Sequence, residues 1–259
     1  MMNWLAPEIE VTIGEETRLA SVQRMEVAAA RSQPVASVYL ELSNVRFEWN
    51  EGAADGDPLV LRWGYRGQEL QPLFNGTVLR AHLRETLKAW GLCRARALSD
   101  TRITRTYQNE AADAVVNHLL SGLGFSSVDA APCDLVIDKL PLLDSTVVQA
   151  LTFLNRRLEL DRAFYADPEG GFHWGERDTS QESAFTFTHG EDILDLQSLP
   201  GHRHLLTVMG IPVWHSQVVA LVDATGNETR HFVEQVGHTG GGGGTGIRSH
   251  LWLQEVADA

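Results

Sequence analysis

The chain has 259 residues, of which 43% are hydrophobic and 21% charged, an ordinary balance for a globular protein of one to three domains. Its 34 acidic side chains outnumber 21 basic ones, so the formal net charge is −13. A field of this sign disfavours binding to nucleic acids and to anionic lipid surfaces. No apolar run is long enough to predict insertion into a membrane, and two cysteines are too few for a disulfide framework.

The first part of the chain, residues 8–98, is predicted to form mostly β-strands. Alternating or continuous apolar runs of strand length occur at residues 9–13, 38–42, 58–63, 77–87 and 92–98. Turn-forming residues interrupt these runs at 52–58 and 64–68. Residues 78–90 also have a composition suited to a helix, although a strand is the preferred interpretation. Several short strands with regular turns suggest a barrel or a sandwich.

Helical periodicity begins after residue 99. Asn109 and Glu110 open a predicted helix that ends at Gly122 or Gly124. The predicted apolar face of this helix consists of Ala112, Val115, Val116, Leu119 and Leu120. One helical face of this kind indicates that the segment covers a larger core.

A second predicted helix leads directly into a β-hairpin. Asp144 or Ser145 is predicted to cap the helix at its N-terminus. Its apolar stripe consists of Val147, Leu151, Leu154 and Leu158. Short aromatic strands at 163–165 and 172–174 flank an Asp-Pro-Glu-Gly-Gly turn at 167–171, and these turn residues favour a tight hairpin.

Strand patterns dominate again in the C-terminal part of the chain. Predicted strands lie at 184–189, 205–209, 213–221, 231–236 and 247–256. A polar turn is predicted at 190–192. Five consecutive glycines at 240–244 are predicted to form a flexible hairpin tip that neither packs nor binds. The run is not predicted to be a phosphate loop, because no lysine and Ser/Thr pair follows in the required spacing.

Several segments appear in the order found in a known family. They are residues 74–78 (FNGTV), Thr106 with the helix that follows as far as Gly124, the helix–hairpin unit at 151–174, and residues 206–210 (LTVMG). This order resembles the tail hub family of contractile injection systems. That family includes phage late control D proteins, Mu-type tail proteins and the N-terminal region of the type VI secretion spike protein VgrG.

The resemblance implies an α+β, mainly β fold in which two small β-barrels are separated by an inserted α+β domain. The first barrel would comprise residues 1–98, the inserted domain residues 99–200 and the second barrel residues 201–259. The implied function is that of a structural baseplate or tail hub subunit of a phage or prophage. The implied location is the virion tail or baseplate, with assembly in the host cytoplasm.

The resemblance also implies a homotrimeric ring that adapts a hexameric tail tube to a trimeric spike. The expected partners are two further copies of the chain, a tail spike protein, and tail tube or baseplate proteins. Binding of nucleic acid and insertion into a membrane are not expected. Because surfaces would carry this function, the chain is not predicted to be an enzyme.

A metal site is one chemical alternative. It would use histidines of the C-terminal region, namely His202, His204, His215, His231 and His238. His202 and His204 lie at positions i and i+2, which share one face of a strand, and such a pair suits zinc when a third ligand is near. Histidines scattered over a β domain are more often core or surface residues. Neither a metal nor another cofactor is therefore predicted.

A cell-wall hydrolase of the glycosidase type is a second alternative. It would need two carboxylates about 5–10 Å apart beside aromatic rings that stack on sugars. The candidates near predicted turns are Asp161, Asp167, Glu169, Glu191, Asp192 and Asp195. Turn geometry and solvation already explain acidic residues at such positions, so no catalytic residue is predicted. Cys93 is interpreted as a small core residue, and Cys133 as a loop residue without a nearby histidine.

A carbohydrate-binding β protein is the third alternative, and it depends on the aromatic residues. Tryptophans on or near predicted strands are Trp49, Trp63, Trp90, Trp174, Trp214 and Trp252. Packing in the core or at a subunit interface is the preferred interpretation of these residues, ahead of a platform for sugars.

Overall fold

The structure of the protein, a computed structural model, describes residues 7–45, 49, 53–201, 203–241 and 246–256. Within these ranges the chain forms twenty strands and three short helices. The mainly β class predicted from the sequence is therefore confirmed. None of the helices in the described part of the chain combines the length and the apolar character needed to cross a membrane.

The N-terminal region is built from seven antiparallel strands. These strands are β1 (Pro7–Ile13), β2 (Glu16–Leu19), β3 (Val22–Ala30), β4 (Gln33–Ser43), β5 (Pro58–Tyr65), β6 (Gln71–Leu83) and β7 (Thr86–Cys93). They hydrogen-bond in the order β3-β4-β7-β6-β5-β1-β2. Alternate side chains such as Val11, Leu40 and Leu61 are fully buried, as expected for strands with one face on a core. Residues 78–90 lie in β6 and β7, which confirms the strand interpretation, but the single strand predicted at 77–87 was wrong because a turn separates Leu83 from Thr86.

Two glycines in the segments that carry the family resemblance allow close approach of other groups. A Cβ atom on Gly76 would lie 2.1 Å from the backbone oxygen of Leu92. A Cβ atom on Gly210 would lie 2.5 Å from the Trp63 ring. Only glycine fits at either position without movement of its neighbours, and this explains why glycine occupies both positions of the motifs.

The central region combines small sheets with helices. Its elements are α1 (Arg96–Asp100), β8 (Arg102–Tyr107), β9 (Glu110–Ala111), α2 (Ala112–Leu120), β10 (Val128–Ala130), β11 (Val136–Ile137), β12 (Leu140–Thr146), α3 (Val147–Arg157), β13 (Ala163–Ala166) and β14 (Phe172–Gly175). Helix α2 buries all five residues of its predicted apolar face. It begins at Ala112, two to three residues later than predicted, because Glu110 and Ala111 form the short strand β9. The chain turns away through Gly122 in a left-handed conformation.

The second predicted helix is also present, but it is capped by a different residue. Thr146 is the N-cap of α3, where its hydroxyl accepts a hydrogen bond from the Gln149 backbone N–H and the Gln149 side chain accepts one from the Thr146 backbone N–H. The prediction of Asp144 or Ser145 as the cap was therefore wrong by one or two residues. A reciprocal cap of this type typically stabilises a helix by about 1 kcal/mol.

The hairpin after α3 follows the sequence prediction. Strands β13 and β14 are antiparallel and enclose the turn at 167–171, and β10 pairs with β14 in parallel. Trp174 is buried and donates a hydrogen bond from Nε1 to the Asn155 side chain of α3 at 3.0 Å. The hairpin is thus attached to the helix that precedes it.

The C-terminal region adds six strands. They are β15 (Ser183–Thr188), β16 (Ile193–Leu199), β17 (Arg203–Met209), β18 (Val218–Val222), β19 (Glu228–Gly241) and β20 (Ile247–Glu255). Strand β19 joins the two parts of the main sheet, because it pairs with β20 along one edge and with β18 and then β3 along the other. Strand β15 pairs with β18, and β16 pairs with β17.

Eleven of the thirteen strands of the main sheet, as far as the chain is described, follow an open hydrogen-bonded path from β16 to β2, and β18 and β15 branch from β19. No closed barrel is found along this path. The arrangement as two small barrels therefore stays a prediction.

Two further predictions of strand bounds were wrong. The strand predicted at 92–98 ends at Cys93, and α1 follows, because the buried residues Ala95 and Leu98 are three positions apart, as on a helix. The strand predicted at 213–221 begins only at Val218. Ser216 has a positive φ of 69°, which is incompatible with an extended strand at that point.

The glycine run was predicted to pack against nothing, and this is wrong for its first two residues. Gly240 and Gly241 belong to β19 and pair with Met25 and Arg24 of β3. A Cβ atom on Gly241 would lie 2.4 Å from the backbone oxygen of Gln23. Residues 242–244 lie outside the described residues.

Candidate functional site

The histidines considered as metal ligands lie in separate surroundings. His202 lies outside the described residues. The rings of His204 and His231 meet edge to face, with centroids 5.2 Å apart. His215 contacts the Tyr165 ring, also edge to face. Within the described part of the chain, no group of three or more His, Cys, Asp or Glu side chains could hold a metal ion.

His238 is enclosed by hydrogen-bond partners. Its Nδ1 atom lies 2.9 Å from the Ser249 hydroxyl, and its Nε2 atom lies 3.2 Å from the Val213 backbone oxygen. Burial lowers the pKa of His238 to about 4, and burial together with the charge of Arg31 lowers that of His215 to about 3. Burial and the neighbouring His204 lower the pKa of His231 to about 4. These three side chains are therefore neutral core residues at neutral pH.

The carboxylates considered for hydrolysis do not line one common cleft. Asp167 builds the hairpin turn, since its Oδ1 atom accepts hydrogen bonds from the backbone N–H groups of Glu169 and Gly171 at 2.9 and 2.8 Å. Asp192 accepts a hydrogen bond from the Thr188 backbone N–H at 3.2 Å. The remaining four candidates, Asp161, Glu169, Glu191 and Asp195, are exposed. Asp195 lies in β16, not in a turn as predicted.

The cysteines and tryptophans mostly serve the core. Cys93 and Cys133 are both free and buried, and burial raises the pKa of the Cys93 thiol. Trp49, Trp63, Trp174 and Trp214 are buried, whereas Trp90 and Trp252 are half-buried. Four of the six tryptophans thus pack inside the fold, as the preferred interpretation of the sequence requires.

The densest polar cluster lies on the hairpin. The His173 ring is held between two carboxylates, with Nε2 2.8 Å from Asp167 Oδ2 and Nδ1 3.3 Å from Asp129 Oδ2. The hydrogen bond to Asp167 raises the pKa of His173 despite burial. Burial would raise the pKa of Asp167, but hydrogen bonds from His173 and from the turn backbone hold it below its usual range. Both pKa shifts favour the ionic form of the pair.

This cluster differs from a catalytic triad in one decisive respect. In a triad, one ring nitrogen of the histidine faces a carboxylate and the other activates a hydroxyl or a thiol. Both ring nitrogens of His173 face carboxylates, and its ring stacks on Tyr165 with centroids 5.1 Å apart. The arrangement holds β10, the hairpin turn and β14 together, and leaves neither nitrogen for a nucleophile.

A polar cavity of about 600 Å³ adjoins the cluster. Arg31, which is 8% exposed, lies in its wall. Its Nη1 atom donates to the Ser216 hydroxyl at 3.1 Å, and its Nη2 atom donates to the Gly175 backbone oxygen at 2.8 Å. Arg31 thus connects the end of β3 with the hairpin and with the loop before β18.

A second arginine attaches the other side of the hairpin. Arg162 donates to the backbone oxygens of Ala131 and Pro132 at 2.7 and 2.9 Å. Its guanidinium lies 4.2 Å from the centre of the Trp174 ring, a distance suited to a cation–π contact. Asn155 of α3 donates to the Arg162 backbone oxygen at 2.6 Å.

Arg31, in the wall of the cavity, joins the hairpin of the central region to the main sheet. The sequence pattern pointed to the hairpin and to Asp167, but not to Arg31, Asp129 or His173. The position of His173 between two aromatic residues of a predicted strand was a usable signal. No comparable signal marks Arg31, whose partners are 144 and 185 residues away.

Comparison with known proteins gives fold-level similarity only. No protein-family model matches the sequence, and a search of curated proteins also returns no match. Among solved structures, the chain is similar to the 43 kDa tail protein of prophage MuSo2 from Shewanella oneidensis, with 11% identity and a TM-score of 0.73 over 95% of this chain and 97% of that one.

Two further structures extend the comparison. A tail protein from Neisseria meningitidis MC58 has 13% identity and a TM-score of 0.74, with 97% of each chain covered. The E. coli protein c3393, a component of the type VI secretion system with structural similarity to the T4 phage tail proteins gp27 and gp5, has 11% identity and a TM-score of 0.67 over 96% of this chain and 77% of that one. The resemblance noted in the sequence is confirmed at this level: the chain has the fold of the phage tail hub-type proteins.

Proposed function

We propose that the chain is a structural tail hub subunit of a phage or prophage tail. The observation that carries this proposal is the fold similarity over at least 95% of this chain and 97% of two phage-type tail proteins. A match of this extent includes the central region with its hairpin as well as the strands on either side. Fold alone does not define function, and the exposed strand edges at the two ends of the main sheet are the second support for this role.

The proposed assembly is a homotrimer, and the two ends of the main sheet support it. Strands β2 and β16 stand at opposite ends of the hydrogen-bonded order, so each has one unpaired edge among the described strands. A ring built head to tail requires two different surfaces on each chain. The two edges supply such a pair, and unpaired edges readily bind other strands.

Strand β16 has the exposure of an assembly surface. Five of its seven residues are exposed, and two of these, Leu194 and Leu196, are 51% and 40% exposed. On β2, the last residue Leu19 is 62% exposed. An edge strand that carries exposed leucines is unfavourable in a monomer and is explained if a neighbouring copy covers it.

The proposed organisation is a first barrel at 1–98, an inserted domain at 99–200 and a second barrel at 201–259. Two similar modules in each of three chains would give six contacts for a hexameric tail tube, while the other end of the ring keeps threefold symmetry for a spike. The proposed partners are therefore a tail spike protein and tail tube or baseplate proteins. The proposed location is the virion tail, with assembly in the host cytoplasm.

The mass of the purified protein in solution tests the trimer. Light scattering should give three times 28.6 kDa. The double variant Leu194→Lys and Leu196→Lys should give folded monomers, because lysines on an edge strand oppose strand pairing. The control Leu143→Lys changes a side chain that is 81% exposed in the central region and should leave the trimer intact. A wild-type monomer at high concentration, with and without a co-expressed spike protein, would contradict the proposal.

The alternative functions predict other results. A cell-wall hydrolase would release soluble fragments from purified peptidoglycan, and we expect no release above that of a heat-denatured control. A carbohydrate-binding β protein would be a monomer that is retained on a polysaccharide resin. We propose that the chain is neither, because four of the six tryptophans discussed are buried and both nitrogens of His173 are engaged.

A further inference from the structure

A groove with apolar walls lies where strands from both ends of the chain meet. It has a volume of about 400 Å³, and its walls include Trp63 and Tyr65 of β5, Phe185 and Phe187 of β15, and Met209 at the end of β17. The two phenylalanine rings are nearly parallel, with centroids 6.3 Å apart. A groove of this size and lining can hold one or two large apolar side chains.

The charged residues of the groove are all acidic. Glu69 and Glu191 are exposed and Asp192 is half-buried, and the described residues that line the groove include no lysine, arginine or histidine. No ion pair neutralises Glu69 or Glu191 within the described part of the chain. An apolar surface with an uncompensated negative rim favours an occupant that is apolar in the middle and positive at the flanks.

One wall residue also lacks a hydrogen-bond acceptor. Trp63 is 1% exposed, and its Nε1 atom has no partner among the described residues. A buried N–H group without an acceptor typically costs about 1–3 kcal/mol. A polypeptide supplies backbone carbonyl oxygens as acceptors at the groove wall, whereas a purely apolar ligand supplies none.

We propose that this groove binds a segment of a partner protein in which one or two large apolar side chains are flanked by lysine or arginine. The proposal goes beyond the hub function and does not depend on the trimer, because the groove is formed within one chain. A membrane is a poorer occupant, since the acidic rim repels anionic lipid headgroups. A small apolar molecule would leave the rim without a positive partner.

Fluorescence anisotropy with labelled hexapeptides tests the proposal. The first peptide has a tryptophan–leucine core flanked by lysines, the second has the same core flanked by glutamates, and the third has a serine–serine core flanked by lysines. We expect the first to bind at least about tenfold more tightly than the other two. Its affinity should fall between about 50 mM and about 500 mM salt, because the ion pairs are exposed to solvent.

Two pairs of variants locate the binding. Glu191→Lys should weaken binding of the first peptide about tenfold, whereas Glu228→Lys, at an exposed position outside the groove, should not. Phe185→Ser should also weaken it, whereas Phe153→Ser on the surface of α3 should not. Circular dichroism and the mass in solution are recorded for each variant, so that a loss of binding is separated from loss of fold or of assembly.

Several outcomes would overturn the proposal. These are equal binding of all three peptides, binding of none, or equal effects of the groove variants and their controls. Pro7 pairs with Tyr65 in the groove wall, so the chain's own residues 1–6 are the competing occupant. Binding that occurs only after deletion of residues 1–6 would assign the groove to that segment and not to a partner. Sedimentation with phosphatidylglycerol vesicles that is abolished by Phe185→Ser but not by Phe153→Ser would assign it to a membrane.

Discussion

Acidification should destabilise the fold because three buried histidines are neutral in it. His215, His231 and His238 have pKa values of about 3, 4 and 4 in the folded chain. A histidine in an unfolded chain titrates near pH 6.5. Between these values the unfolded chain binds more protons than the folded one. The stability that these residues contribute is therefore fully present above about pH 6.5 and is lost as the pH falls.

The size of the effect follows from the pKa differences. At about pH 5, protonation lowers the free energy of the unfolded chain by about 2 kcal/mol for each of the three histidines. The sum of about 6 kcal/mol is comparable to the whole stability of many domains. His250 acts in the same direction, since burial lowers its pKa. His173 acts in the opposite direction, because its pKa is raised and its contribution is lost as the pH rises.

Urea unfolding followed by tryptophan fluorescence, at about pH 7.5 and about pH 5 and one protein concentration, measures the change. The His231→Gln variant isolates one contribution, because glutamine keeps a polar group near the Thr229 hydroxyl, which lies 2.8 Å from His231 Nε2. This variant should lose about 2 kcal/mol less than the wild type between the two pH values. The control His189→Gln, at an exposed position, should behave as the wild type.

Two results would refute this reasoning. One is a wild-type free energy of unfolding that changes by less than about 1 kcal/mol between the two pH values. The opposite contribution of the single residue His173 is too small to cancel those of three buried histidines. The other is a His231→Gln variant with the same pH dependence as the wild type and the His189→Gln control. Either would mean that the buried histidines take up protons in the folded chain without penalty.

Three substitutions test the packing and capping described above, each by the midpoint of thermal or urea unfolding. Gly76→Ala should destabilise the fold by about 3 kcal/mol, because its Cβ atom would collide with the Leu92 backbone; an unchanged midpoint would show that β6 and β7 can move apart. Thr146→Ala should cost about 1 kcal/mol through loss of the helix cap, and Thr146→Ser should restore most of it. Gly241→Ala should cost more than about 1 kcal/mol, because its Cβ atom would meet the Gln23 backbone oxygen; no loss would support the flexible tip predicted from the sequence.

The sequence was most informative where one periodicity extended over a whole element. The apolar face of α2 was predicted residue by residue, since five apolar side chains at helical spacing have no other common face. The hairpin at 163–175 was equally clear, because aromatic strands flank an Asp-Pro-Glu-Gly-Gly turn. Both patterns involve residues that are close together in the sequence, so they can be recognised without knowledge of the rest of the fold.

The errors arose where a distant contact decides the local structure. Val213, Trp214 and His215 are all buried, which resembles a buried strand, but the chain turns at Ser216. Strand β16 had no clear pattern because most of its residues are exposed, and it exists through its pairing with β17.

The candidate site was the least predictable part of the molecule. Arg31 meets Gly175 and Ser216 only after the central region has folded against the main sheet. The groove likewise combines residues of β5, β15 and the end of β17, which are far apart in the sequence. Periodicity and turn chemistry carry no information about such encounters.

The pairing of β3 with β19 has a consequence for how the protein is made. Val27 pairs with His238, so strands about 210 positions apart along the chain must find each other. During synthesis, β1 to β7 leave the ribosome long before β19 does, and until then one edge of β3 offers unsatisfied backbone groups to any other nascent chain. Folding is therefore expected to be slow, and yield in the cell should depend on chaperones that shield this edge.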